Sequence, residues 1–302
     1  FLIDPRIEAD RLVVRTMKTV PVNTGAVRAF EASLQGEDLP LGPASVCASE
    51  ILSGFAVTQL IRWFNIETEK VKDDELDSEI EFRCRYRDLL SFNPATYGAT
   101  QIDIIGVGAT GSRIALALAR IGFSNLTVWD DDVIESHNIA NQAFGLPHIG
   151  HPKVKALASI VERETGHRLT VNQRRVSGQE ELGPQVFLLT DSLASRREIF
   201  ARGIKSNSDI TCLVETRMGA EQGNVYVLDP RDSARATTYE ATLNKEVPVQ
   251  RSECGGAVTV GSTAELISGA AVIQFLQFLS SEKVQNELSL FLRPTNIFGR
   301  MF

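Results

Sequence analysis

No two cysteines in this chain have the two-residue spacing with which one loop presents a pair of thiolates to a tetrahedral zinc. The four, Cys47, Cys84, Cys212 and Cys254, are scattered through 302 residues. Neither a zinc site nor a disulfide framework is expected, and each cysteine reads first as a small buried hydrophobe. Also missing is an apolar run approaching the roughly 18 to 20 residues of a membrane-spanning helix. There is no basic-then-apolar leader, although a chain opening on Phe1 is expected to have lost its natural start. Membrane insertion is therefore not expected, and a cytoplasmic location is the default. Finally, the chain lacks an excess of positive charge: 31 Lys and Arg stand against 38 Asp and Glu, a net charge of −7. Binding to a phosphate backbone is largely counterion release by lysine and arginine. A nucleic-acid partner is thus disfavoured, and a macromolecular partner is expected to be a protein.

What is present, at 43% hydrophobic and 23% charged residues, is enough for one large globular domain or two smaller ones. From residue 102 the pattern is α/β. "QIDIIGVG" is an apolar strand ending in glycine, "SRIALALARIG" has apolar residues at helical spacing and stops at Gly122, and "NLTVWD" is a second strand. "HPKVKALASIVERETG" is an amphipathic helix opened near a proline and closed by Gly166. "LTVNQRRV", "QVFLLTD", "TCLVETRMG" and "GNVYVLDP" follow as strands, and "AELISGAAVIQFLQFL" is a long apolar helix that must be buried on most sides. Strands alternating with helices predict a doubly wound, mainly parallel sheet of Rossmann type.

The beginning of the chain echoes its end. "LIDPRI" (2–7) matches "LVETRM" (213–218), "AFEASL" (29–34) matches "TYEATL" (238–243), and "ILSGFAVTQLIRWF" (51–64) matches "LISGAAVIQFLQFL" (266–279), in the same order. Apolar helices match easily by chance, but three pairs in register predict an internal repeat. Residues 1–95 then form the trailing half of a degenerate first copy, a pseudo-subunit, and 96–302 form a full second copy. The charged stretch "NIETEKVKDDELDSEIEFRCRYRDLL" is expected to be the junction helix between them.

Gly106, Gly108 and Gly111 give G-x-G-x-x-G directly after a strand and before a helix. Such glycines let backbone approach a phosphate, while the helix N-terminus supplies free amide donors. Asp130, at the tip of the second strand, is placed to accept from ribose hydroxyls. By itself the loop indicates a nucleotide and leaves open which one, including a dinucleotide.

The residues that follow, "DDDVIESHNIANQ", then "GHPK", then a strand ending "TD", resemble the ThiF/MoeB/HesA superfamily, the adenylyltransferases related to ubiquitin-activating enzymes. The resemblance spans about 104 to 280. It implies a ThiF-type adenylation fold that binds ATP with Mg²⁺ and activates the C-terminal carboxylate of a small ubiquitin-like or sulfur-carrier protein, or of a peptide. It further implies that Asp130 holds the ribose, that Asp132, Asn138 and Gln142 belong to the polar wall of the ATP site, that Lys153 contacts phosphate, and that Asp191 binds magnesium and aligns the triphosphate. A carboxylate attacking the α-phosphorus brings two anions together, so a lysine and a carboxylate-held metal ion are the groups this chemistry needs.

Two departures stand out. The family's arginine before the glutamine is Asn141 here, so either activity is weakened or another cation, Arg113 or one from another subunit, takes its place. The family's paired C-x-x-C zinc motifs are absent. Cys254, in "VQRSECGGAVTV", stands where the family can carry a cysteine that receives the activated acyl group; Arg251 nearby favours its thiolate. A conjugating or sulfur-transfer partner, and a dimer or internal pseudo-dimer, belong to the same implication. Two other classes stay open: a nucleotide-binding pseudoenzyme or scaffold that has lost turnover, and an NAD-dependent oxidoreductase.

Overall fold

The computed structural model describes residues 2–8, 11–17, 79–83, 94–244, 261–281, 284–292 and 295–302. Three N-terminal strands, β1 (Leu2–Glu8), β2 (Arg11–Met17) and β3 (Glu79–Arg83), form an antiparallel sheet in the order β1-β2-β3. An eight-stranded sheet follows, built from β4 (Ile102–Ile105), β5 (Leu126–Trp129), β6 (Thr170–Asn172), β7 (Gln185–Leu188), β8 (Cys212–Met218), β9 (Gln222–Leu228), β10 (Glu287–Leu292) and β11 (Thr295–Arg300). Its helices are α1 (Ala109–Ile121), α2 (Lys153–Thr165), α3 (Leu193–Ile199), α4 (Ser233–Leu243) and α5 (Gly261–Leu279).

The spatial order is β11-β10-β9-β8-β7-β4-β5-β6. The first five strands in sequence, β4 to β8, pair in parallel, and β9, β10 and β11 extend the sheet antiparallel. The chain winds outward from β4 to β6, then returns to the other side of β4 to lay down β7 and β8. This doubly wound arrangement leaves a cleft at the carboxyl ends of β4 and β7, the switch point where α/β sheets bind ligands.

Both faces of the central strands are covered, which is why β4, β5 and β7 are apolar without alternation. On one face α1, α2 and α5 pack over Ile102, Ile104, Val128 and Phe187. On the other, α3 and α4 pack over Ile105, Leu188, Leu213 and Tyr226. Phe275 of α5 stacks edge-on against Phe187 at 5.0 Å and lies 5.9 Å from Phe123, fixing α5 across the sheet. By length and composition α5 could cross a membrane, yet 78% of its apolar window is buried inside the fold, so it is a core helix. Gly122 and Gly166 end α1 and α2 in the left-handed conformation, at φ 113° and 75°.

The expected elements are present with some corrections. "LTVNQRRV" supplies only the three-residue β6, because the chain beyond Asn172 leaves the sheet edge. The expected junction helix at 65–90 is, where described, strand β3 instead: "EIEFR" alternates apolar and charged residues and pairs with β2. Helices α3 and α4 were not foreseen because their apolar residues are few; the β10–β11 hairpin was not foreseen although Leu288, Leu290 and Leu292 alternate along β10. Of the repeat, "LIDPRI" falls on β1 and "LVETRM" on β8. The segments at 29–34 and 51–64 lie outside the described residues. Each of these strands opens an antiparallel hairpin of two seven-residue strands, and each second strand then pairs antiparallel with a third. The hairpin registers coincide: Leu2 faces Met17 as Leu213 faces Leu228.

Candidate nucleotide and substrate site

A cavity of about 1160 Å³ opens at the switch point. It is wider than a typical ligand pocket. Its wall includes Gly106, Gly108, Asp130, Asp132, Asn138, Gln142, Lys153 and Asp191, so the structure gathers nearly every residue that the sequence singled out.

Register explains the gathering. Trp129, Ile105 and Leu188 lie side by side at the ends of β5, β4 and β7, with Glu215, in the middle of β8, beside Leu188. Asp130, Gly106, Leu189 and Thr216 are each one residue further on, along a common rim. Asp130 is clamped there: one carboxylate oxygen accepts the Val107 N–H at 2.6 Å and the other the Asp132 N–H at 2.9 Å. Burial pushes its pKa up, against the lowering effect of these bonds and of Lys153.

The three glycines do three different things. Gly106 has φ +98°, and a Cβ there would stand 2.7 Å from the Leu189 carbonyl oxygen. At Gly111 a Cβ would stand 1.9 Å from the Gly106 carbonyl oxygen, so this glycine lets α1 pack on the loop and does not line the cavity. At Gly108 a Cβ would meet nothing within 4 Å. Gly108 lines the cavity at the α1 N-terminus, leaving open space beside unpaired helix amides, which suits a phosphate.

Lys153 opens α2, where the helix dipole disfavours a cation, and it is buried. Its Nζ donates to Asp132 Oδ2 at 2.6 Å, which offsets the cost of burying the charge. Asn138 accepts the Glu135 N–H at 2.9 Å and shapes the short turn carrying Gln142, whose buried Oε1 has no hydrogen-bond partner among the described residues. Asp191 follows β7 and is exposed; among the described residues its carboxylate makes no hydrogen bond or ion pair. The cap of α3 is instead Ser192, whose Oγ accepts the Ser195 N–H, so Asp191 is left for the cavity. The carboxylates of Asp130, Asp131 and Asp132 come within 4.8 Å of one another; Asp130 is engaged by amides and Asp132 by Lys153, so Asp131 and Asp191 both remain as hard oxygen ligands on the cavity wall with no partner among the described residues.

Two expectations need correction or fall outside the structure. Arg113 is not on the cavity wall: it donates to the Asn141 carbonyl at 3.1 Å and pairs with Glu265 at 3.4 Å, because its position on α1 faces the start of α5. It braces the Asn141 turn and does not replace the missing arginine as a cavity-facing cation. Cys254 and Arg251 lie outside the described residues. Cys212 is fully buried, which raises its thiol pKa well above the usual value and suits a packing role.

The sequence reading missed further residues of the cavity wall: Arg174 and Arg175 just after β6, and Thr190, Arg196, Thr216, Arg217, Asn224 and Tyr226 around β7, β8 and β9. Arg174 stacks over Trp129 at 5.0 Å. Buried Arg196 and partly buried Arg217 share the fully buried carboxylate of Glu215. Burial alone would raise the Glu215 pKa; Arg196 and Arg217 outweigh it and hold it below the ordinary value. The local signal was "ETR" inside a strand, which alternation places with Glu215 and Arg217 on one face.

The fold and the rim together define a doubly wound domain with a large acidic and basic cleft at its switch point. Residues 96–301 match the ThiF family profile, and the chain belongs to that family. It is 26% identical over 200 residues to the sulfur carrier protein ThiS adenylyltransferase of Escherichia coli K12, covering 64% of this chain and 77% of that protein. Uncharacterized protein y4qC of Sinorhizobium fredii is 35% identical over 88 residues, but the match spans only 29% of this chain and 14% of that protein. Among solved structures, PaaA aligns over 99% of this chain and 98% of its own with a TM-score of 0.56 at 15% identity. E. coli MccB with AMPCPP and MccA aligns over 99% and 94% at 0.54 and 11%. At these identities the structural matches speak for the fold.

Proposed function

We propose that this chain activates a carboxylate by adenylation. In the reaction a carboxylate oxygen attacks the α-phosphorus of ATP. The new oxygen–phosphorus bond forms as the bond to the β-phosphate bridging oxygen breaks, and pyrophosphate leaves with the electron pair. The observation that carries the reading is the order of groups along the rim: the clamped Asp130 for a ribose, the open Gly108 amides for phosphate, and Asp191 beyond them, with Lys153 on the same cavity. Lys153 supplies positive charge to the phosphates. Asp191, a hard carboxylate with no partner among the described residues, fits Mg²⁺, which when bound would neutralise charge on the triphosphate. A hydride-transfer site requires none of Lys153, Asp191 or the metal.

The acceptor is the C-terminal carboxylate of a small carrier protein or a peptide. The ThiS adenylyltransferase relative and the MccB complex with MccA support that class. Thr242, near the end of α4, lines the cavity, and Gly261, at the start of α5, sits against the Ala140 carbonyl. The segment carrying Cys254 joins these two points, so its thiolate is within chain reach of the acyl-adenylate. We propose it as the acceptor of the acyl group, with AMP leaving as the thioester forms. Carboxylate-dependent exchange of labelled pyrophosphate into ATP, with candidate carriers or peptides, tests the main reading. Exchange with at least one is expected. ATP binding without exchange favours the pseudoenzyme, and tight NAD binding without ATP binding favours the oxidoreductase.

We also propose that residues 1–95 are a partial second copy of the adenylation fold. The sequence matches and the coincident hairpin registers of β1–β2 and β8–β9 support it. Hydrogen exchange should then show residues 29–34 and 51–64 protected as helices, like 238–243 and 266–279. An experimental structure in which 51–64 is not helical would overturn it.

A further inference from the structure

The cavity is longer than the groups assigned so far. Asp130, Gly106 and Asp191 follow strands β5, β4 and β7, three neighbours in the sheet. The next strand, β8, stands about 4.8 Å further on and carries Thr216 and Arg217 into the same cavity. A phosphate placed there would lie on the far side of Asp191 from the glycine loop. That position belongs to a different ligand group.

The wall at β8 has the character of an anion site. Arg196 and Arg217 share Glu215, leaving the cluster one positive charge in surplus. Burying such a surplus is unfavourable until an anion arrives. The donors are nearly all assigned. Arg217 Nε donates to Glu215 Oε1 at 2.8 Å, Nη2 donates to Glu215 Oε2 at 2.9 Å and to Thr242 Oγ1 at 2.8 Å, and Nη1 donates to the Thr242 carbonyl at 3.1 Å. Arg196 holds Glu215 and, through Nε at 2.7 Å and Nη2, the Thr190 carbonyl, while its Nη1 also donates to the Thr216 carbonyl at 2.7 Å. A guanidinium has five N–H groups, so each arginine retains one. Tyr226 lies under the Arg217 guanidinium at 4.5 Å and keeps it in place. Independently, the Thr190 Oγ1 is buried on the same wall and has no hydrogen-bond partner among the described residues.

We propose that Arg217, with the Thr190 hydroxyl, binds the carboxylate of the acyl substrate. Arg196 and Glu215 are positioning residues that hold Arg217 at the rim. Arg217 takes the oxygen that does not attack, which leaves the other free to approach the α-phosphorus near Asp191. Once the carboxylate becomes an acyl phosphate its charge is gone, so the same contact weakens and the product is free to move on. The assignment rests on the adenylation reading.

The test uses N-acetylglycine as a carboxylate probe and N-acetylglycinamide as its uncharged twin, followed by saturation-transfer NMR on the chain loaded with AMPCPP. Wild type should bind the acid and not the amide. Arg217→Gln should weaken the acid by at least about tenfold, the scale of one charge-assisted hydrogen bond, with ATP affinity by calorimetry unchanged. Thr190→Val, which leaves both arginines in place, should weaken the acid several-fold; it carries the test if Arg217→Gln does not fold. Acid and amide binding alike, no acid binding by wild type, or wild-type acid affinity in the folded variants would each overturn the proposal. So would a loss of ATP affinity matching the loss of acid affinity, which would give Arg217 to the nucleotide. Failure of wild type to bind ATP at all would overturn the adenylation reading itself.

Discussion

The two sides of the cavity build their walls differently. On the side of β5, β4 and β7, within the parallel half, the functional groups sit at strand tips and in the turns that follow, so residues close in sequence act together: Gly106 with Gly108, Asp130 with Asp132, Thr190 with Asp191. Around β8, the last parallel strand, they sit within the strand and on the helices α3 and α4 that pack over it, and they meet through contacts distant in sequence. Arg217 is joined to Thr242 and Arg196 to Glu215, over 25 and 19 residues. One side therefore writes its chemistry as a motif, and the other writes it as a register. A one-residue slip would leave the first largely intact and turn the second inside out.

The sharpest way to break this contrast is to remove charges from the side of β5, β4 and β7. Asp191→Asn and Lys153→Ala should each lower carboxylate-dependent pyrophosphate exchange by at least about a hundredfold, the scale for losing one preorganised electrostatic group. Loss of exchange without loss of ATP binding would place either residue in the transition state and not in ground-state affinity. Two glycines next separate packing from binding. Gly111→Ala should cost about 3 kcal/mol or more of stability by thermal unfolding, since its Cβ has no room beside the Gly106 carbonyl. Gly108→Ala, which meets open space, should leave stability nearly unchanged and weaken ATP measurably in calorimetry; equal stability losses would show that both serve only the turn.

The cluster on β8 answers to pH. Glu215 has a lowered pKa in the fold, so its contribution to stability is fully present above the unfolded value near 4.5 and is lost as pH falls through the folded value. Glu215→Gln should flatten the acid limb of the stability curve below about pH 5, and a curve parallel to wild type would show that other groups dominate it. The smallest effect on exchange is expected at Cys254: replacement by Ser should leave exchange intact while abolishing a thiol-labile acyl adduct. An adduct that persists in Cys254→Ser, or exchange lost together with folding, would make that cysteine structural.

Legibility followed the same division. The parallel strands, the caps at Gly122 and Gly166 and the core helix α5 were readable because each is a local pattern of apolar spacing and a glycine stop. Lys153 and Asp191 were readable through the family resemblance that orders them after the glycine loop. Arg196 and Arg217 were not, because nothing near either in sequence says that they share one buried carboxylate. Arg113 was misjudged for a similar reason: its helical position points to Glu265, 152 residues away, and no local pattern reveals that face.

That long bridge between α1 and α5 carries a consequence for synthesis. Arg113 pairs with Glu265, and Ser268 Oγ donates to the Thr110 carbonyl at 3.4 Å, so the helix at the glycine loop is braced from α5. At about 5 to 20 residues per second, a ribosome that has made Arg113 needs about 8 to 30 s to reach Glu265. During that interval the glycine loop exists as a sequence without its brace, and the apolar face that α5 will cover is open to chaperones. The glycine-loop half thus acquires its brace late in translation.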